Sequence, residues 1–166
     1  MTTWVLGIDP GAQGALAIYD VTNAHVVLVK DMPNYLLTLT TGKESHRVDI
    51  KALAELFAKI IERVEREEIE LKIHIEKVQA FGKQSAPAAF NFGYASAVPF
   101  ALSVAYGYTP ALISPVVWKR RAGLQASKKD DARLLVRHLF PYLCDKLKFK
   151  YNVDRADAIL IAMYKP

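Results

Sequence analysis

Apolar positions run almost unbroken through Trp4, Val5, Leu6 and Ile8, stop at a Pro and Gly cluster, and resume from Ala15 to Tyr19. Short apolar runs bounded by such punctuation predict two strands joined by a tight turn. Val26 to Val29 is a third strand candidate. A parallel pairing of neighbours this close would need a crossover of about a dozen residues, so the sheet is expected to open as an antiparallel meander. Asn34 to His46 is polar, Thr-rich and without a clear period. It reads as a loop whose Lys43, His46 and Arg47 face either a phosphate or water.

At Asp49 the period changes. Ile50, Leu53, Phe57, Ile60, Ile61 and Val64 recur on one face of a helix that ends near Arg66, with Asp49 placed as its N-cap. Lys51, Glu55, Lys59, Glu62, Arg63 and Glu65 occupy the other face, as a solvated surface and not a site. Leu71 to Val78 returns as a strand, Ala88 to Tyr106 reads as a helix of small and aromatic residues, and Pro110 to Ser114 as a strand. Pro115 to Arg121 and Lys128 to Leu139 read as helices, the first opened by its proline. Asp154 to Tyr164 is a further helix, with Ala156, Ile159, Leu160 and Met163 at core spacing. This succession predicts an α/β fold: a mixed sheet of three antiparallel strands followed by parallel strands, flanked by helices.

Composition narrows the class. Hydrophobic residues are 52% of the chain and charged residues 23%, which suits a folded globular protein and leaves little room for a disordered tail. A chain of 166 residues is expected to form a single domain, residues 1–166, because it is too short for two ordinary cores. The net charge of +5 favours a polyanionic partner without choosing between nucleic acid and an anionic membrane. No stretch is read as approaching the roughly 20 apolar residues of a membrane span, and no leader is read at Met1 to Gly11, so a cytoplasmic protein with no membrane partner is expected. The single cysteine, Cys144, reads as a core thiol in a reducing compartment.

Four acids stand out against this pattern. Asp9 ends the first strand beside a glycine-rich turn, a place where an Asp either serves function or caps its own backbone. Glu76 sits inside a β-rich apolar segment, where a buried carboxylate needs a cationic partner or a metal. Lys77 should point to the opposite face of that strand, which favours a metal. Asp154 and Asp157 are three apart on one helix face and repel each other unless a cation holds them; the alternative is that Asp154 is the N-cap and Asp157 an N3 acid. Hard oxygen donors of this kind suit Mg²⁺ or Mn²⁺, and the lone cysteine and absence of a paired His motif argue against zinc.

With GIDPG around Asp9, IEKV around Glu76 and DRADAILIA around Asp154 and Asp157, the chain resembles the RuvC-type Holliday junction resolvases of the RNase H-like superfamily, in particular shorter bacterial and phage-like relatives. The resemblance implies a homodimer that makes paired symmetric nicks in four-way DNA junctions. It also implies two Mg²⁺ ions per active site, for which Mn²⁺ can substitute, with Asp9, Glu76, Asp154 and Asp157 as both metal ligands and catalytic groups. The family carries basic residues between the second and third acids, and Lys119, Lys128 and Lys129 match them here, with Lys129 the better match for a catalytic lysine. Arg120 and Arg121 extend the same basic patch. After the second acid the family tends to place an aromatic; Gln79 stands there instead and Phe81 follows two residues on, with Lys83 and Gln84 as further DNA contacts. Solvent exposure is the competing reading of each of these basic and loop residues.

Other classes remain in view. An RNase H-like nuclease cutting RNA/DNA hybrids or other branched DNA would share the acids. A non-catalytic DNA-binding module would have no use for acids that repel phosphates. A phosphotransferase of the sugar-kinase and actin class also opens on a strand, an Asp and a Gly-rich turn, but needs a second such turn that this chain lacks, so no nucleotide cofactor is expected.

Overall fold

The computed structural model describes residues 1–38, 40, 42–79, 85–125, 128 and 130–165. β1 (Thr3–Asp9), β2 (Ala15–Asp20) and β3 (His25–Asp31) form the expected antiparallel meander. A second hairpin follows, β4 (Asn34–Thr38) and β5 (Glu44–Val48), paired to each other in a separate two-stranded sheet. The loop expected over Asn34 to His46 is therefore corrected to a hairpin. Its strand β4 is exposed at every position, including Tyr35, Leu36 and Leu37, so there is no inside and outside for the sequence to alternate between.

α1 (Ile50–Arg66) follows, then β6 (Glu70–Glu76), α2 (Ala86–Ala105), β7 (Ala111–Ile113) and α3 (Pro115–Arg121). α4 (Asp131–Leu139), two short 3-10 turns (Pro141–Leu143 and Lys150–Asn152) and α5 (Val153–Met163) complete the order. The main sheet runs β3-β2-β1-β6-β7, with β6 parallel to β1 and β7 parallel to β6. α4 begins later than the expected Lys128, at Asp131.

Each sheet face has its own core. On one face Trp4, Leu6 and Ile8 of β1 and Leu16 and Ile18 of β2 meet Leu53, Phe57, Ile60, Ile61 and Val64 of α1. Asp49 caps α1 by accepting the amide of Ala52 at 3.0 Å. Ile50, expected in that core, is 44% exposed because it precedes the first turn that meets the sheet. On the other face Ala15 and Ala17 of β2 pack with Val136 of α4 and with Ala156, Ala158, Ile159 and Ile161 of α5. Cys144 is half-buried, not a core residue, with its thiol 4.0 Å from the Arg137 carbonyl.

α2 corrects a further expectation. It is 20 residues long and, by length and composition, apolar enough to cross a membrane. Its contacts are with α1, β5 and β6, through buried Ala95, Pro99 and Ser103, and Phe90, Tyr94, Phe100 and Val104 are exposed.

Candidate active site

The alternation of β1 directs Val5, Gly7 and Asp9 to the face covered by α5, opposite to Trp4, Leu6 and Ile8. Gly7 lets α5 come down onto the strand. A Cβ at Gly7 would lie 2.3 Å from the Ala158 carbonyl oxygen and 2.4 Å from the Ala162 amide nitrogen, so no other residue fits. Asp154 lies one turn before Ala158, and Asp9 lies two residues beyond Gly7, so the contact that seats the helix also brings Asp154 over Asp9. The turn after Asp9 is tight: the Gly11 amide donates to the Asp9 carbonyl at 3.2 Å and the Gly14 amide to the Gly11 carbonyl at 3.0 Å. A Cβ at Gly14 would stand 2.1 Å from the Asp9 carbonyl oxygen, which explains that glycine as well.

Glu76 arrives by register. β6 runs parallel to β1 with Ile75 opposite Ile8, so Asp9 and Glu76 each follow that pair by one residue at the same edge of the sheet. The Trp118 indole of α3 donates to Glu76 Oε2 at 2.7 Å. Trp118 is 1% exposed, and a buried indole N–H needs such an acceptor. Among the described residues Glu76 forms no close ion pair, with Lys77 or any other base.

The electrostatics tie the four acids together. Burial pushes the Asp9 carboxyl well above the usual carboxylate range, and Glu76, Asp157 and Asp154 push it further in that order. The Lys119 ammonium opposes them. Burial also raises Glu76, against the Trp118 hydrogen bond and Lys119. Asp9 is thus the half-buried acid on which the repulsion of the others falls. Among the described residues no three His, Cys, Asp or Glu side chains are already drawn tightly enough to hold an ion.

The donor set fits a hard divalent cation. Four carboxylates supply oxygen ligands only, and the destabilised anion at Asp9 is the group that a cation would relieve. The capping alternative for the helix acids is corrected: the N-cap position of α5 is Asn152, Asp154 lies within the first turn, and Asp157 lies beyond it.

The basic residues divide. Lys119 is half-buried, 5.1 Å above the Trp118 ring and within electrostatic reach of Asp9 and Glu76. Arg120 and Lys128 are exposed. Arg121 turns away from the acids, donating to the Lys165 carbonyl and lying 5.4 Å over the Tyr164 ring. Lys129, Phe81, Lys83 and Gln84 lie outside the described residues. Sequence reasoning missed Trp118, whose partner is 42 positions away. It also favoured water over phosphate as the neighbour of His46, and His46 lines an open cleft with Asp9, Gln13, Asn91, Phe92 and Asp154.

A mixed sheet with parallel strands and helices on both faces is an α/β arrangement of the RNase H-like kind, and in this chain acids stand at the ends of β1 and β6 and on α5. Among solved structures the chain is similar to the complex of Thermus thermophilus RuvC with a Holliday junction substrate, at 20% identity, over 96% of this chain and 90% of that one, with a TM-score of 0.59. Another T. thermophilus RuvC structure aligns at 20% identity over 96% and 91% of the two chains, with a TM-score of 0.49. The yeast mitochondrial Holliday junction resolvase aligns at 14% identity over 95% and 75%, with a TM-score of 0.42. The first of these establishes the RuvC-like fold that the motifs led us to expect. No family model matches the chain. No curated protein sequence matches it.

Proposed function

We propose that the protein is a metal-dependent endonuclease that resolves four-way DNA junctions by hydrolysis, acting as a homodimer that nicks two strands symmetrically. The observation that supports this reading is the half-buried Asp9 carboxyl, facing a cleft and held in the field of Glu76, Asp154 and Asp157 on a RuvC-like fold. Asp9, Glu76, Asp154 and Asp157 would hold two Mg²⁺ ions. Bound there, the pair supplies an activated water and stabilisation of the departing oxygen. The chain's own residues do the rest. Trp118 orients the Glu76 carboxylate through its 2.7 Å hydrogen bond, and Lys119 tempers the repulsion at Asp9 and offers its ammonium to a phosphate. Arg120 and Lys128 are exposed and free to meet the DNA backbone, and the surplus of positive charge favours the approach of any nucleic acid.

A homodimer is supported by α2. Its exposed Phe90, Tyr94, Phe100 and Val104 make an apolar surface that a second copy would cover. The proposed junction substrate rests on the fold likeness together with the three acid motifs.

The deciding experiment offers the protein a synthetic four-way junction, a linear duplex and an RNA/DNA hybrid, each with and without Mg²⁺. Paired cuts confined to the junction and dependent on the metal are the expected result. Cutting of the hybrid alone would reassign the protein to another RNase H-like activity. Nucleotide binding without any cleavage would move it to the phosphotransferase class.

A further inference from the structure

The segment from Lys146 to Asn152 has no role in the reading above, yet it is fastened with unusual care. Arg133, 5% exposed, grips Asp130 with two hydrogen bonds of 2.6 and 2.7 Å and donates to the Leu147 carbonyl at 2.8 Å. Arg155 clasps both oxygens of Asp31 at 2.5 Å and donates to the Lys146 carbonyl at 2.7 Å. Buried Asn152 closes the turn, its Oδ1 accepting the Phe149 amide at 3.0 Å while its own amide donates to the Phe149 carbonyl at 2.9 Å.

What this rigid turn presents is Lys148, Phe149, Lys150 and Tyr151. The two rings stack, with centroids 5.2 Å apart and planes 11° from parallel. Tyr151 is 72% exposed and Phe149 49%, so the stack is open to solvent. The Lys148 ammonium lies 5.5 Å from the Phe149 ring. Single exposed aromatics are ordinary on protein surfaces. Two held parallel on an anchored backbone, alternating with two lysines, form a pattern that matches one ligand: a flat π-face beside phosphates. The location agrees, because Lys150, Tyr151 and Asn152 line one cleft with Asp154, Gln13 and His46. Among the described residues the one other acid in that cleft, Asp31, is paired with Arg155.

We infer that Phe149 and Tyr151 form a stacking platform for an unpaired nucleobase of the bound nucleic acid, with Lys148 and Lys150 meeting the flanking phosphates. The inference rests on the proposed junction-cutting reading for its setting. It gives the protein a direct hold on a base that leaves the duplex beside the acid cluster. Because the turn is already fixed, stacking incurs little ordering entropy.

The test uses the full chain carrying Asp9→Asn to prevent cutting, with fluorescence anisotropy on a short labelled oligothymidylate, an abasic strand of equal length and a linear duplex. Tyr151→Ala should weaken oligothymidylate binding about tenfold while leaving the abasic strand and the duplex within about twofold, and Tyr151→Trp should restore it. Lys150→Ala should weaken all three alike and flatten the salt dependence by about one charge. The platform is overturned if the parent does not prefer the strand with bases. It is equally overturned if Tyr151→Ala and the Phe149→Ala/Tyr151→Ala double variant bind all three as the parent does. It is overturned too if all three weaken together with a lowered melting midpoint, which marks a merely structural residue. Junction cleavage is scored separately, so a chain that stacks bases but cuts no junction loses only the proposed activity.

Discussion

α1 and α5 cover opposite faces of the same sheet and handle charge in opposite ways. α1 sends Lys51, Glu55, Lys59, Glu62, Arg63 and Glu65 to solvent and buries Leu53, Phe57, Ile60, Ile61 and Val64. Many sequences of that period would serve as well. α5 buries Val153, Ala156, Ala158, Ile159, Leu160, Ile161 and Ala162, and holds Asp154 and Asp157 half-buried among them. A charge that water can solvate says little about function. A charge that the fold withholds from water, and surrounds with its like, needs a reason outside the fold.

The sharpest way to break this comparison is to neutralise one acid on each helix. Asp157→Asn should lower junction cleavage by at least about a thousandfold, equivalent to several kcal/mol of lost metal-assisted stabilisation, with junction binding retained. Glu62→Gln on α1 should leave both unchanged. Equal effects, or none, on a cleavage time course would remove the distinction.

Next in size are the contacts that seat the helices. Gly7→Ala drives a Cβ onto the Ala158 carbonyl and should cost about 1–3 kcal/mol in urea unfolding while also displacing Asp154 and Asp157 from Asp9. Leu53→Ala under α1 should cost about 2–5 kcal/mol yet leave the cleavage rate of the folded fraction intact. If Gly7→Ala loses stability alone, the acids do not depend on that contact. Trp118→Phe comes third. It removes the hydrogen bond to Glu76 and should slow cleavage about tenfold, or about 1.4 kcal/mol, with little change in junction affinity.

The smallest effect concerns pH and runs against the usual direction for a mutation. The Asp9 carboxyl is held above its unfolded value, so the folded metal-free protein binds that proton more readily than the unfolded chain does. Stability is then lost as pH rises from the unfolded carboxylate range, about 4, through the raised value. Asp9→Asn should raise the melting midpoint in EDTA at neutral pH and narrow the gap between acidic and neutral midpoints. Mg²⁺ should raise the parent and not the variant. A midpoint that falls on substitution would mean that the ionised Asp9 stabilises the fold.

Where solvation sorts residues sharply, the sequence was readable. The meander, α1 with its Asp49 cap, and the apolar face of α5 each follow from a period and a boundary residue. The acids stood out for the complementary reason, as charges placed in apolar segments, and the fold brings them into one another's field. The β4–β5 hairpin was not, because every position of β4, Tyr35, Leu36 and Leu37 among them, is exposed and gives its strand no apolar alternation. α2 was misjudged because serines and a proline interrupt a helix that is nonetheless apolar along its length. Trp118 escaped because its meaning is a single hydrogen bond across the fold, and the Phe149–Tyr151 stack because two aromatics among lysines look like ordinary surface until their planes are known.

The seating of α5 on Gly7 has a consequence for the life of the molecule. The acids of β1 and β6 exist early in synthesis, but the pocket gains its other half only when α5 folds back across the sheet. A growing chain, or a fragment clipped in the segment before α5, would carry Asp9 and Glu76 without Asp154 and Asp157, which is only half of the proposed site.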